Sequence, residues 1–331
     1  MIATALQIEV IRCLSEKLRA YYIFPDVAEK ICIGLQKHLD YGDYNDIAEG
    51  EFFAYALTTH IQEVCQDEHV WVKWHSEPLP DGEEALRLSK EWRDEQYVQA
   101  KLNNYGFYQV QRMPGNVGYL DIRYFYRPSW GGDIAVAAMN FLANMGAIII
   151  DLRKCLGGFP GMISLISSYL LSEEPVHLGS IYWQDDGVTQ QYWTLPYVPG
   201  QRLADKPLYI LVGKETFSAG EGFAYDMQAR KRGIIIGEQT DGGAHPGASY
   251  RLNPHFEAFI PIGCLTHPIT NRNWEGLGVI PDFPVSSERA LIIAHKMALK
   301  SIIQALGDPQ SEPLRVLLVE AKVAYEELAD K

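Results

Sequence analysis

The serine at position 218 stands where a buried strand is predicted to turn into a helix. Residues 208–212 form a continuous apolar run, as in a strand buried on both faces, and helical spacing follows up to Gly233. The Ser218 hydroxyl is therefore expected beside backbone N–H groups that no helical carbonyl satisfies, at the positive end of the helix dipole. A serine in that position can attack a carbonyl carbon while amides hold the developing oxyanion.

The residues around Ser218 also fit a purely structural interpretation. Ser218 and Glu221 form a Ser-x-x-Glu capping box, which satisfies the first amides of any helix. A capping serine can also be a nucleophile, so both interpretations stay open. Thr216 replaces the first glycine of a Gly-x-Ser-x-Gly elbow, which disfavours a turn of the α/β-hydrolase kind.

Length and composition exclude several classes of protein. A chain of 331 residues with 47% hydrophobic content can bury a sizeable core. The net charge of -13, with no basic cluster, argues against nucleic acid or an anionic membrane surface as a partner. Five widely spaced cysteines without a Cys-x-x-Cys pair predict neither a disulfide framework nor a zinc site. Charged residues interrupt the first twenty positions, so no signal peptide is predicted and a cytoplasmic location is expected.

The N-terminal part is predicted to be a helical module over residues 1–80. Amphipathic spacing indicates three helices that form a small bundle, at about 3–22, 25–39 and 51–65. Alternation over residues 69–75 then predicts a strand that His69 opens, with Val70, Val72 and Trp74 facing the core and His69 facing away. A solvated connecting helix is expected within residues 81–106.

Residues 107–331 are predicted to form an α/β domain, because strands alternate with helices there. The turn after the strand at 147–150 carries Gly157 and Gly158, whose flexibility lets the backbone expose its amides. We expect the amides of Ala219 and of Gly157 or Gly158 to bind an oxyanion. A hairpin is predicted over 175–195, around Asp185-Asp186-Gly187, whose aromatic side chains either cover a site as a flap or pack against one another across the strands. Two helices, at about 287–306 and 312–328, end the chain.

Three motifs follow one another in the second half of the chain. Asp151-Leu152-Arg153 with Gly157-Gly158 comes first, then Thr216-Phe217-Ser218-Ala219-Gly220-Glu221, then Asn273-Trp274-Glu275-Gly276-Leu277-Gly278-Val279-Ile280-Pro281-Asp282. Their order and spacing resemble the tail-specific (C-terminal processing) serine protease family over about residues 105–300. The motif Tyr22-Ile23-Phe24-Pro25, the turn Asp67-Glu68-His69 and the loop 240–246 are similar to the branch that contains the modules of interphotoreceptor retinoid-binding protein.

The resemblance implies a fold and a set of roles. The fold would be α/β, with a ClpP/crotonase-like ββα catalytic domain preceded by the helical bundle, and Ser218 would be the nucleophile. In the better-known branch a downstream lysine is the base, but Gly243 occupies that position here. Similarity to the tricorn protease implies instead that a histidine activates the serine and a glutamate completes the relay. His69 and Glu275 stand in those two places.

The chemistry of a serine nucleophile also requires such a base. A hydroxyl near neutral pH needs an adjacent group to take its proton, and an imidazole needs an orienting carboxylate. Glu275 would supply that carboxylate, with Glu68 or Asp67 as the alternatives. His245, in a glycine-rich loop, is the rival base.

The sequence leaves three functions open. The first is a serine-type hydrolase, a peptidase acting by acyl transfer without cofactor or metal. It would lack the peptide-binding PDZ module of its relatives, because residues 76–106 are too few to hold one. The second is a non-catalytic carrier of an apolar ligand of the retinoid or fatty-acid kind, which the 19 tyrosines, 12 phenylalanines and 7 tryptophans would suit. The third is an enzyme of specialised metabolism that reuses the same pocket. A homo-oligomer is left open.

Overall fold

The computed structural model describes residues 4–65, 67–79, 90–184 and 186–328. Its helices are α1 (Thr4–Tyr21), α2 (Pro25–Tyr41), α3 (Gly50–Cys65), α4 (Lys90–Leu102), α5 (Pro128–Leu142), α6 (Pro160–Leu170), α7 (Ala219–Ala229), α8 (Ser287–Leu306) and α9 (Glu312–Glu327). Its strands are β1 (Trp71–Trp74), β2 (Phe107–Met113), β3 (Val117–Ile122), β4 (Ala147–Asp151), β5 (His177–Trp183), β6 (Thr189–Trp193), β7 (Leu208–Val212), β8 (Ile234–Gly237), β9 (Gly247–Arg251), β10 (Phe256–Pro261), β11 (Gly263–Thr266) and β12 (Phe283–Pro284).

The three N-terminal helices and the two C-terminal helices confirm the helical spacing in the sequence. α2 begins with a proline in its first turn and ends at Gly42, whose φ of 80° is the left-handed conformation that a glycine adopts without strain. α5 begins at Pro128, because proline is favoured in a first helical turn. The connecting helix expected within residues 81–106 is present as α4, and residues 80–89 lie outside the described residues.

The chain divides into two compact units. The first unit comprises residues 1–96, 180–190 and 245–266, and the second comprises 97–179, 191–244 and 267–331. In the first unit, β1, β10 and β9 form an antiparallel sheet in that order. Its core joins the apolar stripes of α1, α2 and α3 to this sheet, with fully buried side chains such as Phe53 and Phe256. β11 pairs with residues 180–183 of β5 in the same unit.

The second unit is built on a six-stranded sheet with the strand order β12, β8, β7, β4, β3, β2. All neighbouring pairs are parallel except β2 and β3, which are antiparallel. Side chains of β4 alternate between two cores, as the period of a strand requires: Ile148 and Ile150 pack with α5, α6 and α7, whereas Ile149 packs with α8 and α9. Because helices cover both faces of this sheet, the side chains on both sides of its central strands are buried, and the sequences of these strands are continuous apolar runs.

The strand expected to begin at His69 begins two residues later, at Trp71. The Asp67 side chain accepts the amide hydrogen of His69 at 3.0 Å and the Asp67 carbonyl accepts that of Val70 at 3.1 Å, so residues 67–70 close a turn. His69 is 7% exposed, contrary to the expectation that it faces away from the core. Val70 and Val72 are buried as expected, but Trp74 is 36% exposed.

The aromatic hairpin is confirmed as β5 and β6, although Asp185 of its turn lies outside the described residues. His177 and Trp193 stack with ring centroids 4.7 Å apart. Among the described residues, no helix combines the length and the apolar character needed to cross a membrane.

Ile210, at the centre of β7, provides a test of the second unit's core. Its side chain is fully buried, so Ile210→Ala should lower the free energy of unfolding by about 2–5 kcal/mol. Ile280 is 60% exposed, so Ile280→Ala should change the free energy of unfolding by less than about 0.5 kcal/mol. Urea denaturation followed by circular dichroism measures both. Equal losses in the two variants would contradict the burial described here.

Candidate active site

Ser218 occupies a strained turn between β7 and α7. Its backbone angles are φ 51° and ψ -117°, in a region that residues with a Cβ adopt rarely and at a cost of about 1–3 kcal/mol. Thr216, fully buried, holds the turn from within: its hydroxyl donates to the Leu152 carbonyl at 2.8 Å and accepts the Gly213 amide hydrogen at 2.9 Å. The geometry is that of a sharp turn from strand to helix which presents a serine at the helix N-terminus.

The Glu221 carboxylate ties this turn to the loop at 240–243. Its Oε2 accepts amide hydrogens from Ser218 at 2.7 Å and from Gly243 at 3.0 Å. Its Oε1 accepts the Gly242 amide hydrogen at 2.7 Å and the Thr240 hydroxyl hydrogen at 2.6 Å. The bond to Ser218 is one half of the capping box expected from the sequence. The three further bonds exceed what capping a helix requires, so Glu221 also organises the loop.

Burial of Glu221 changes its titration. The side chain is fully buried, and burial raises the pKa of its carboxyl group to about 7, although the four donated hydrogen bonds favour the ionised form. The glutamate is therefore expected to bind its proton more tightly in the folded chain than in the unfolded one.

The paired glycines lie against the nucleophile's turn. A Cβ on Gly157 would come within 2.8 Å of the Ser218 Cβ and 3.3 Å of the Ala219 nitrogen, so only a glycine allows this approach. Gly157 and Gly158 have φ values of 109° and 131°. Burial raises the pKa of the neighbouring Cys155 thiol to about 12. The structure thus brings Gly157, Ser218 and Ala219 together, and their role as an oxyanion site stays a prediction.

Glu275 lies in a loop that is bound to residues 242–244. Its Oε2 accepts the Ala244 amide hydrogen at 2.5 Å. The Trp274 indole donates to the Gly243 carbonyl at 2.7 Å, and the Gly276 amide donates to the Gly242 carbonyl at 2.8 Å. These bonds give the Glu275 loop and the 240–244 loop one fixed arrangement within the second unit.

Both candidate bases belong to the first unit, where Asp67 links them. Asp67 is 2% exposed, and its Oδ2 lies 3.1 Å from Nδ1 of His245 and accepts the Tyr22 hydroxyl hydrogen at 3.2 Å. Its Oδ1 accepts the backbone amide hydrogen of His69. The Phe24 ring meets the His245 ring edge-on at 5.3 Å. Burial lowers the pKa of His69 to about 4, an effect that His245 strengthens and Asp67 opposes.

Sequence reasoning missed the role of Thr240 and the wider role of Glu221, and it named Asp67 only as an alternative carboxylate. The Ser-x-x-Glu pattern identified Glu221, but only as a helix cap. Thr240 and Gly242-Gly243 lie in a glycine-rich loop whose partner could not be inferred from spacing. The signal for Asp67 was its position two residues before His69, which is typical of a side chain that closes a turn.

The chain also shows similarity to known proteins. Residues 116–285 match the family described as Peptidase family S41, and residues 4–102 match the N-terminal domain of that family in eukaryotic IRBP. The tail-specific protease of Haemophilus influenzae is 32% identical over 130 residues, which are 37% of this chain and 17% of that protein. The chain therefore spans less than a fifth of the length of that relative.

Two solved structures share the fold. A lipoprotein from Streptococcus agalactiae aligns with a TM-score of 0.56 at 13% identity, over 89% of this chain and 96% of that one. The tricorn protease aligns with a TM-score of 0.52 at 12% identity, over 98% of this chain and 37% of that one. The predicted ClpP-like α/β fold with an N-terminal helical region is thus confirmed. The chain belongs to peptidase family S41.

Replacing Glu221 by glutamine should change how stability depends on pH. Burial raises the glutamate pKa from 4.5 to about 7, so the folded chain binds more protons than the unfolded chain between these values. The wild type should therefore lose stability relative to Glu221→Gln as pH rises from 4.5 to 7, by up to about 1.4 kcal/mol per pH unit. Urea denaturation at a series of pH values measures the difference. Parallel stability curves for the two proteins would contradict a raised pKa.

Proposed function

We propose that this chain is a serine-type peptidase that acts by acyl transfer, with Ser218 as its nucleophile. The observation that carries the proposal is the backbone of Ser218, a non-glycine residue at φ 51° where β7 turns into α7. Backbone strain of this kind persists only where surrounding bonds hold it, and it concentrates at functional sites. Membership in peptidase family S41 supports the same activity.

The proposed reaction has two halves. The Ser218 Oγ attacks the scissile carbonyl carbon as its proton passes to a histidine, and the π electrons of the carbonyl move to its oxygen. Collapse of this intermediate expels the amine, which takes the proton from the histidine. Water then repeats the sequence on the acyl-enzyme. The Ala219 amide at the N-terminus of α7 and the amide of Gly157 or Gly158 would hold the oxyanion.

The base is proposed to be a histidine, since Gly243 occupies the position of the lysine in the better-known branch. The relay Ser218, His69 and Glu275 expected from the sequence remains one candidate, and His245 is the other. A peptide is the proposed substrate, taken without a PDZ module. The cytoplasmic location stays a prediction.

A fluorophosphonate probe tests the nucleophile, because it reacts with activated serines and leaves a stable adduct. We expect one adduct per chain, located at Ser218 by mass spectrometry, and none in Ser218→Ala. Ser172→Ala, at an exposed position of the second unit, is the matched control and should react like the wild type.

A folded wild type that the probe does not label would overturn the proposal. The carrier function would then be favoured. Titration with retinol or a fluorescent fatty acid, followed by quenching of tryptophan fluorescence, would test it directly.

A further inference from the structure

We infer that the chain associates as a two-fold symmetric dimer in which β2 pairs with β2 of a second copy and α9 packs against α9 of that copy. The surface that carries this contact lies entirely within the second unit. The inference goes beyond the proposed peptidase activity and does not depend on it.

β2 forms one edge of the six-stranded sheet and is paired on one side. Its partner is β3, and among the described residues no strand pairs with its other side. The side chains of residues 108–112 are all exposed. An edge strand of this kind presents a row of backbone N–H and C=O groups that can pair with a strand of another chain.

The two edges of this sheet differ in how they resist such pairing. The opposite edge is β12, which has two residues, one of them Pro284. A short strand and a proline both hinder pairing with another chain. β2 has seven residues and contains no proline, lysine, aspartate or glutamate. Its register with β3 shifts between Phe107 and Gln109 and is regular from Gln109 to Met113. Most of β2 therefore lacks the protection found at β12.

α9 presents an apolar stripe beside the same edge. Three of its valines are 48–61% exposed and share one face of the helix, because they lie three or four residues apart: Val316, Val319 and Val323. Glu320 belongs to the same side of the helix and contacts the β2 hairpin. Its carboxylate accepts hydrogens from the Arg112 guanidinium at 2.8 and 2.9 Å and from the Gly115 amide at 2.9 Å. These bonds hold the stripe next to β2.

A second copy of the chain covers both features with one symmetry operation. When β2 pairs with itself in the antiparallel sense, the two-fold axis is perpendicular to the sheet, so both copies of α9 lie on the same face of the joined sheet. The two valine stripes then meet across the axis. A bound peptide would pair with β2 but leave the stripe on α9 exposed. Stable dimers bury about 600–1,000 Å² on each partner, and the stripe adds apolar area to the strand pairing.

The sequence of β2 favours one register for this pairing. Its central residues read the same in both directions, Gln109-Val110-Gln111. Pairing centred on Val110 sets this valine, 39% exposed, against its own copy and each Gln109 against Gln111 of the second copy. Within one chain the Gln109 amide donates to the Gln111 side-chain oxygen at 2.8 Å, and the remaining amide hydrogens and oxygens can bond across the axis. Pairing centred on Gln111 would instead oppose Val110 and the charged Arg112.

Sedimentation velocity of the full chain tests the dimer. The wild type should sediment with twice the mass of one chain at tens of micromolar protein. Val110→Lys should sediment as a monomer, because two like charges would face each other on the axis. Val319→Lys should weaken association on the order of tenfold or more, since it places a charge in the apolar contact. Val188→Lys, at an exposed position of the first unit, is the matched control and should remain a dimer.

A mixture of two variants tests the register. Val110→Glu should also be a monomer by itself. An equimolar mixture of Val110→Lys and Val110→Glu should form dimers, because opposite charges then meet across the axis. A mixture that stays monomeric would overturn pairing centred on Val110.

Two other results would overturn the dimer itself. The first is a folded wild type that sediments as a monomer at these concentrations. The second is a dimer that persists unchanged in Val110→Lys and Val319→Lys. Circular dichroism checks that each variant is folded, which we expect because every substitution changes an exposed side chain.

Discussion

Removing a carboxylate from water costs several kcal/mol unless hydrogen-bond donors in the protein replace the lost water. The buried Glu221 carboxylate accepts four such hydrogen bonds. Two donors are Ser218 and Thr240, and the other two are the amides of Gly242 and Gly243. Because all four must converge on one buried group, the start of α7 and the loop at 240–243 have little freedom to move apart. The order of the candidate site therefore depends on a residue that we do not expect to react with substrate.

The contacts around Ser218 explain how its strained backbone conformation is maintained. An unfavourable backbone conformation of about 1–3 kcal/mol survives only where its neighbours allow no alternative. The Thr216 hydroxyl donates a hydrogen bond within the turn, and the Glu221 carboxylate accepts the amide hydrogen of Ser218. The backbone of Gly157 packs directly against Ser218, with no room for a side chain on Gly157. A serine held in this way has lost its conformational freedom before substrate arrives, which is an advantage in catalysis.

A second buried carboxylate, Asp67, organises the first unit in a similar manner. It closes the turn before β1 by accepting the His69 amide hydrogen, and it orients the ring of His245. Glu221 and Asp67 are thus both buried carboxylates that hydrogen bonds stabilise, each within its own unit. Each is buried, each accepts several hydrogen bonds, and each restricts a candidate residue of the proposed reaction.

The sequence by itself determined the local elements, the class of fold and the turn at Ser218, because the periods of helices and strands and the preferences of proline and glycine act over a few residues. It did not determine that Glu221 binds residues 240–243, or that His69 is buried rather than exposed. It also did not determine that Asp67 meets His245, which is 178 positions away in the chain. Such contacts depend on which strands pair and which turns close, and local spacing carries no information about partners so distant. Only the tertiary structure decided which histidine ring Asp67 orients.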